Sequence, residues 1–360
     1  MDTSAYRGCL LGLAVGDALG YTVDGKTWEE ICADYGPNGL LGYDLVNGCA
    51  DVTSYTQLAA FVSNGLLLSV SRGRGDYLRY ITLSLREWAR NQNFHRDPER
   101  SYCWIAKPKA LRLHRNRDAR MLDALRFDHL GTPENPQNRN TGPGVLTPAV
   151  AIGLFFDPKR MEPAQIGTLA AQTAALTHGD PETILSAVVL AYAVAGILRQ
   201  PDMILKEHIA RAAQVMEQQF GEEFALAASQ LAARLKLAVS LSENPDLPPR
   251  NAMEQLKCTT AAECLAGAVY AALIGSGDFD SAMIASVNHS GLSAATGAVT
   301  GALLGAKLGA EALPDFYLDG LVCAPALSEL AEDLTKGCPA SGLFDDDWDQ
   351  KYVQGLPLNG

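Results

Sequence analysis

The chain has 360 residues, 41 acidic against 29 basic, for a formal net charge of −12. Hydrophobic residues make up 48% and charged residues 19%, which is ample for a buried core and excludes a disordered chain. The acidic balance argues against nucleic acid or an anionic membrane as partner, since both require positive charge.

Apolar residues at helical spacing predict helices over 4–19, 54–71, 76–91, 162–177, 181–199, 204–218, 222–240, 259–274, 278–287, 294–309 and 324–335. No run of β-branched residues alternates with period two, so strands are expected to be few or absent. Pro, Gly and Asn punctuate the chain at 36–48, 131–144 and 243–249, and no low-complexity linker divides it. The expected architecture is a single all-α domain over 1–340, followed by an acidic tail over 341–360. In that tail Asp345, Asp346, Asp347 and Asp349 are expected to face solvent. The apolar run from Ile184 to Leu198 is short for a membrane span and reads as a buried helix. Eight cysteines without a C-x-x-C spacing, and an N-terminus lacking the cationic start of a leader, predict reduced thiols and a cytoplasmic location.

Two of the predicted helices carry glycine at every fourth position. Gly8, Gly12, Gly16 and Gly20 form one stripe, and Gly297, Gly301, Gly305 and Gly309 form the other. Glycine inside a helix costs roughly 1 kcal/mol relative to alanine, and close backbone approach is the compensation these stripes suggest. Were they to meet, segments 16–24 and 287–296 would lie together at one pole of the bundle.

The segments GLAVGDALGYTVDG (12–25), GPGVLTPAVAIGLF (142–155), ALTHGDPETI (175–184) and SVNHSGLSAATGAVTGALLGAKLGAEALP (286–314) follow one another in a recognisable order. In them the chain resembles the ADP-ribosylglycohydrolase family, over about residues 4–337; segment 72–130 carries no such match. The resemblance implies an orthogonal multi-helix bundle. It also implies cleavage of the bond between ADP-ribose and a protein side chain or small acceptor, assisted by two magnesium ions. Such hydrolysis passes through an oxocarbenium-like state, which needs an oriented water, an acid or base, and charge stabilisation.

The family pattern supplies magnesium ligands from a T-D-D-T stretch opening an early helix and from a D-x-D-T stretch near the late glycine-striped helix. Here the early stretch reads Thr53-Ser54-Tyr55-Thr56-Gln57, and Leu292 and Ala294 stand at the late aspartate positions. Serine, tyrosine, leucine and alanine cannot neutralise two hard dications, so no metal or cofactor is expected. Asp44 and Asp51 nearby read as solvated loop carboxylates or caps.

Other parts of the motif set persist. Asp17 keeps its family context and Asp24 falls where a glutamate is usual; with His178 they are the candidate catalytic groups. His178 equally suits a helix-terminal histidine bonding a carbonyl. The resemblance implies that Gly142 and Gly144 let the backbone approach ADP-ribose, whereas Pro143 and Pro148, at positions of Asn and Arg, weaken diphosphate binding. The expected ligand-binding set is Thr53, Ser54, Tyr55, Gly142, Gly144, Asn288, His289 and Ser293; His289 with Asn288 and Ser290 reads as a polar rim or, equally, as a capping cluster. Tyr55 either stacks on a base or sugar or fills the space of the missing metals, filling being preferred.

Roughly half of the Lys and Arg fall between Arg72 and Arg126, including HRNRDAR (114–120). This region reads as a solvated face or as a docking surface for an anionic protein partner, without the aromatics of a nucleic-acid platform. Two functions follow. One is a degenerate family member that binds an ADP-ribose-like nucleotide or a protein; the other is a hydrolase using Asp17, Asp24 or His178 without paired magnesium. The first is preferred.

Overall fold

The computed structural model describes residues 2–45, 47–73, 75–92, 101–115, 118–159, 161–337 and 346–354. Among these the secondary structure is helical, apart from one isolated bridge between Ala50 and Leu321. In chain order come α1 (Thr3–Tyr21), α2 (Trp28–Tyr35), α3 (Ser54–Leu68) with a π turn at Ser69–Gly73, α4 (Tyr77–Asn91) and α5 (Ala119–Arg126). Then follow α6 (Leu146–Phe155), α7 (Pro163–Ala175), α8 (Pro181–Arg199), α9 (Leu205–Phe220), α10 (Ala225–Ser242) and α11 (Pro249–Leu256). The remainder are α12 (Ala261–Ile274), α13 (Phe279–Val287), α14 (Ser293–Leu308), α15 (Asp315–Leu318), α16 (Ala324–Lys336) and α17 (Asp346–Tyr352).

The glycine stripes meet. Helices α1 and α14 run antiparallel, with Gly8 against Gly305, Gly12 against Gly301, Gly16 against Gly297, and Gly20 against Ser293. At each level a Cβ on the α1 glycine would overlap a carbonyl oxygen of α14, and the same holds in reverse for Gly297, Gly301 and Gly305. Backbones at this separation replace side-chain packing with direct contact between main chains. Gly309 carries the contact past the end of α14: a Cβ on Gly8 would sit 2.7 Å from its carbonyl carbon, and one on Gly309 2.5 Å from Ser4 Oγ of α1; its φ of +84° is a conformation glycine adopts without steric cost.

Helix α8 is the other organising element. Asp180 caps it, accepting from Thr183 N at 2.9 Å, and α6, α7, α9, α10, α12 and α14 pack around it. By length and composition it could cross a membrane, yet most of it is buried among these neighbours, as expected of a core helix.

The long amphipathic helices lie within a few residues of their predicted bounds. Helix α6 escaped prediction because LTPAVAIGLF is apolar on every side and buried throughout, so it shows no periodicity. Helices α2, α5 and α11 span eight residues each and are too short to register a repeat.

The tail expectation needs correction over its described part. Asp346 and Asp347 are exposed, but α17 buries Trp348, Lys351 and Tyr352. Trp348 Nε1 donates to Ser71 Oγ at 3.1 Å, and Trp104 Nε1 donates to Tyr352 Oη at 2.9 Å. Tyr352 Oη in turn donates to Asp333 Oδ2 at 2.8 Å, while Lys351 pairs with Asp333, Glu329 and Asp347. The acids dominate this segment's composition, but a Trp and a Tyr four residues apart fix its docking face. Asp345 lies outside the described residues.

The seam makes a stability prediction. Gly301→Ala should cost more than about 3 kcal/mol, at the upper end of overpacking, because the obstructing atoms are backbone. Gly277→Ala, where a Cβ would meet nothing within 4 Å, should change stability by less than about 0.5 kcal/mol. Urea unfolding of both variants checks this, and equal effects would refute the seam.

Candidate functional site

The seam delivers the C-terminal end of α1 to the N-terminal end of α14, and α3 begins beside them. Asp17 is fully buried and closes the first turn of α3. Its Oδ1 accepts from Thr53 Oγ1 at 2.6 Å; its Oδ2 accepts from Thr56 Oγ1 at 2.6 Å and from the N–H groups of Thr53 and Thr56 at 2.9 and 3.0 Å. Burial raises its pKa to about 6, against the four hydrogen bonds, which lower it. Asp24 does a related service for α14, whose own N-cap position is Leu292: Asp24 Oδ1 accepts from Ala294 N at 3.0 Å. Gly25 N–H donates to Gly291 O at 3.2 Å across the same junction.

A cavity of about 510 Å3 opens at these helix ends. Of the expected site residues, Asp24, Thr53, Ser54, Tyr55, Gly142 and Gly144 line it, as do Pro143 and Leu292. Tyr55 is only half-buried and leaves the space open rather than filling it. Burial first, then the carboxylate of Asp24, push its phenol well above the ordinary value, so it stays protonated and a donor.

The remaining expected residues serve the scaffold. Asp17 is behind the wall, engaged as described. Asn288 pins the 36–42 loop, accepting from Leu40 N at 2.8 Å and donating to Leu40 O and Ile284 O. His289 Nε2 donates to Ser286 O at 3.0 Å and its Nδ1 accepts from Gly291 N at 3.0 Å, so both nitrogens of a neutral ring are satisfied. Ser293 Oγ donates to Val287 O at 2.8 Å. Asn288, His289 and Ser293 thus form a buried knot that shapes the 287–293 turn, which is the capping alternative for Asn288 and His289 rather than the rim. Pro148 is likewise buried inside α6, away from the cavity.

His178 lies just behind the glycine loop. A Cβ on Gly142 would sit 3.5 Å from its Nε2 and one on Gly144 3.3 Å from its Cε1. Its Nδ1 is 2.8 Å from Thr177 Oγ1, and its Nε2 is 3.9 Å from Asp118 Oδ2. Burial lowers its pKa to about 4, outweighing the attraction of Asp118, and burial does the same for His289.

The cavity also has lining residues that the sequence did not announce: Tyr21, Arg115, Asp118, Arg120, Thr141 and Thr259. Asp118 caps α5 through Arg120 N and Met121 N and accepts from Asn140 Nδ2 at 2.6 Å; Asn140 Oδ1 accepts from Gly142 N at 3.1 Å. The basic stretch read as a surface face thus tethers the glycine loop. Asp followed by an apolar helical stretch was the available signal, hidden by the surrounding charges.

This donor set does not suit two magnesium ions. The four positions hold Ser54, Tyr55, Leu292 and Ala294, and the lining carboxylates Asp24 and Asp118 are engaged with backbone and amide donors. Among the described residues no group of three or more His, Cys, Asp or Glu could hold a metal ion.

The buried histidines set a pH dependence. Between about pH 4 and 6.5 each neutral ring binds fewer protons folded than unfolded, so stability falls as pH drops through that window. Asp17 acts oppositely between 3.8 and about 6, contributing stability at low pH that is lost as pH rises. Burial also lowers His208 and raises Glu87 and Asp333; the histidine contribution is expected to prevail, so urea unfolding should show lower stability at about pH 5 than at about pH 7. Nitrogen NMR at about pH 5 should report both rings neutral; protonated rings would overturn the assignment.

Residues 2–343 match the family described as ADP-ribosylglycohydrolase. No curated protein matches the chain. One solved structure, titled "ADP-ribosylglycohydrolase-related protein complex", is similar with a TM-score of 0.56 at 23% identity, covering 93% of this chain and 98% of that one. At that identity the likeness establishes the shared all-α fold alone, while the match to the family extends over nearly every residue. The chain belongs to the ADP-ribosylglycohydrolase family.

Proposed function

We propose that this family member binds an ADP-ribose-like nucleotide in the cavity and does not carry out dimagnesium-dependent hydrolysis. What supports the reading is an open cavity lined by Ser54, Tyr55 and Leu292, with Ala294 in the adjoining turn of α14, at positions where the resemblance implies carboxylates. Its volume falls within the range of small-molecule sites. Its lining combines the polar groups of Thr53, Ser54 and the Gly142–Gly144 loop with two aromatic rings, Tyr21 and Tyr55, on which a base or sugar can stack. A hydrolase would also need a carboxylate available to activate water. Asp17 is behind the wall under four hydrogen bonds, Asp24 Oδ1 holds the first turn of α14, and Asp118 caps α5 and holds Asn140.

Pro143 has no N–H to offer a phosphate oxygen, so the expected affinity is weak. Calorimetric titration with ADP-ribose in a chelator should give a Kd on the order of 100 μM, unchanged by added magnesium. Tyr55→Ala should weaken binding by about tenfold, in keeping with a lost stacking contact. Incubation with ADP-ribosylated arginine or serine peptides should release no ADP-ribose. Magnesium-dependent release would overturn the proposal, as would the absence of any ADP-ribose binding.

A further inference from the structure

One wall of the cavity carries positive charge that the family motifs do not supply. Arg115 and Arg120 both line it, from a segment outside every stretch that carries the family resemblance. Arg115 is held from several sides: Nη2 donates to Asp51 Oδ2 at 2.9 Å, its backbone N–H donates to Gln92 Oε1 at 2.8 Å, and the guanidinium lies 6.0 Å from the centre of the Tyr21 ring. Its Nε is buried and has no hydrogen-bond partner among the described residues. A buried charged donor without an acceptor is costly, and a ligand oxygen relieves that cost. The planar guanidinium also matches two oxygens of a phosphate at once. Arg120 stands further out, 66% exposed, with its Nε 3.6 Å from Asp118 Oδ1.

We propose that Arg115 is the anion-recognition residue of this cavity, with Arg120 at its rim, so that the ligand taken is a phosphorylated sugar or nucleotide held by guanidinium rather than bridged by metal. The proposal rests on the binding reading above and adds the ligand's charged group and the residue that selects it. Asp51 is the competing counter-ion. It pairs with Arg115 Nη2, and its side chain is 41% exposed.

This assignment differs from a purely structural ion pair in what its two halves should do. If the pair only tied the segment down, removing either partner would have the same effect. If Arg115 recognises phosphate, removing Asp51 leaves the guanidinium more available, and the two substitutions act in opposite directions.

The test is calorimetric titration of the full chain with ADP-ribose, inorganic pyrophosphate and adenosine, in wild type, Arg115→Ala, Arg115→Lys and Asp51→Asn. Thermal unfolding of each variant verifies that it folds. Wild type should bind ADP-ribose and pyrophosphate, adenosine much more weakly, and added salt should reduce affinity for both anions. Arg115→Ala should weaken anion binding by about tenfold or more, Arg115→Lys should restore it in part, and Asp51→Asn should strengthen it. Wild-type affinity in Arg115→Ala, or an Asp51→Asn loss equal to that of Arg115→Ala, would overturn the proposal. Pyrophosphate binding that depends on Arg115, without ADP-ribose binding, would uphold the anion site while overturning the nucleotide reading. ADP-ribose binding indifferent to Arg115 would do the reverse.

Discussion

Helices α1 and α14 touch through their main chains, and the contact exists only because no Cβ intrudes at Gly8, Gly12, Gly16, Gly297, Gly301 or Gly305. Side-chain packing normally keeps helix axes 8–10 Å apart; glycine rows remove that spacer. The seam fixes which end of each helix faces which. It brings Asp24 within reach of Ala294 N and sets Asp17 beside Thr53 and Thr56. The cavity floor follows from where α1 stops.

At that floor two aspartates act on helix ends they do not belong to. The first-turn N–H groups of a helix lack intrahelical acceptors, and an incoming carboxylate satisfies them while complementing the dipole. Asp17 does this for α3 and Asp24 for α14. Both helices begin beside the cavity, so carboxylates there serve helix starts: Asp24 lines the cavity while its Oδ1 holds the first turn of α14. The cavity's positive side chains, Arg115 and Arg120, come from the segment that carries Asp118.

Most of the long helices were legible because their apolar residues recur at helical spacing, and the meeting of the stripes was legible because repeated helical glycine has few other uses. Helix α6 was not, since an element buried on all sides has no polar face to mark its period. In the site, Thr53, Ser54, Tyr55, Gly142 and Gly144 could be placed because each sits in or beside a family motif. Asn288 and His289 read equally as a rim or as a capping cluster. A polar side chain in a turn reads the same whether it points to ligand or to a neighbouring carbonyl, and only the fold shows the carbonyls. Arg115 and Asp118 lie in an irregular stretch, where no periodicity assigns direction. Trp348 and Tyr352 were masked by the aspartates around them.

The antiparallel register of α1 and α14 also limits how this chain can change in length. Inserting or deleting one residue within either helix turns everything beyond it by about 100°, which would swing three glycines off the shared face and drive side chains into carbonyls. A four-residue change, close to one turn, would keep the stripe but slide one helix along the other, separating Asp24 from the start of α14. Changes in length are therefore tolerable only in the connections, and two helices whose facing glycines lie nearly three hundred residues apart in sequence, Gly8 and Gly305 at the extreme, are obliged to keep step with each other.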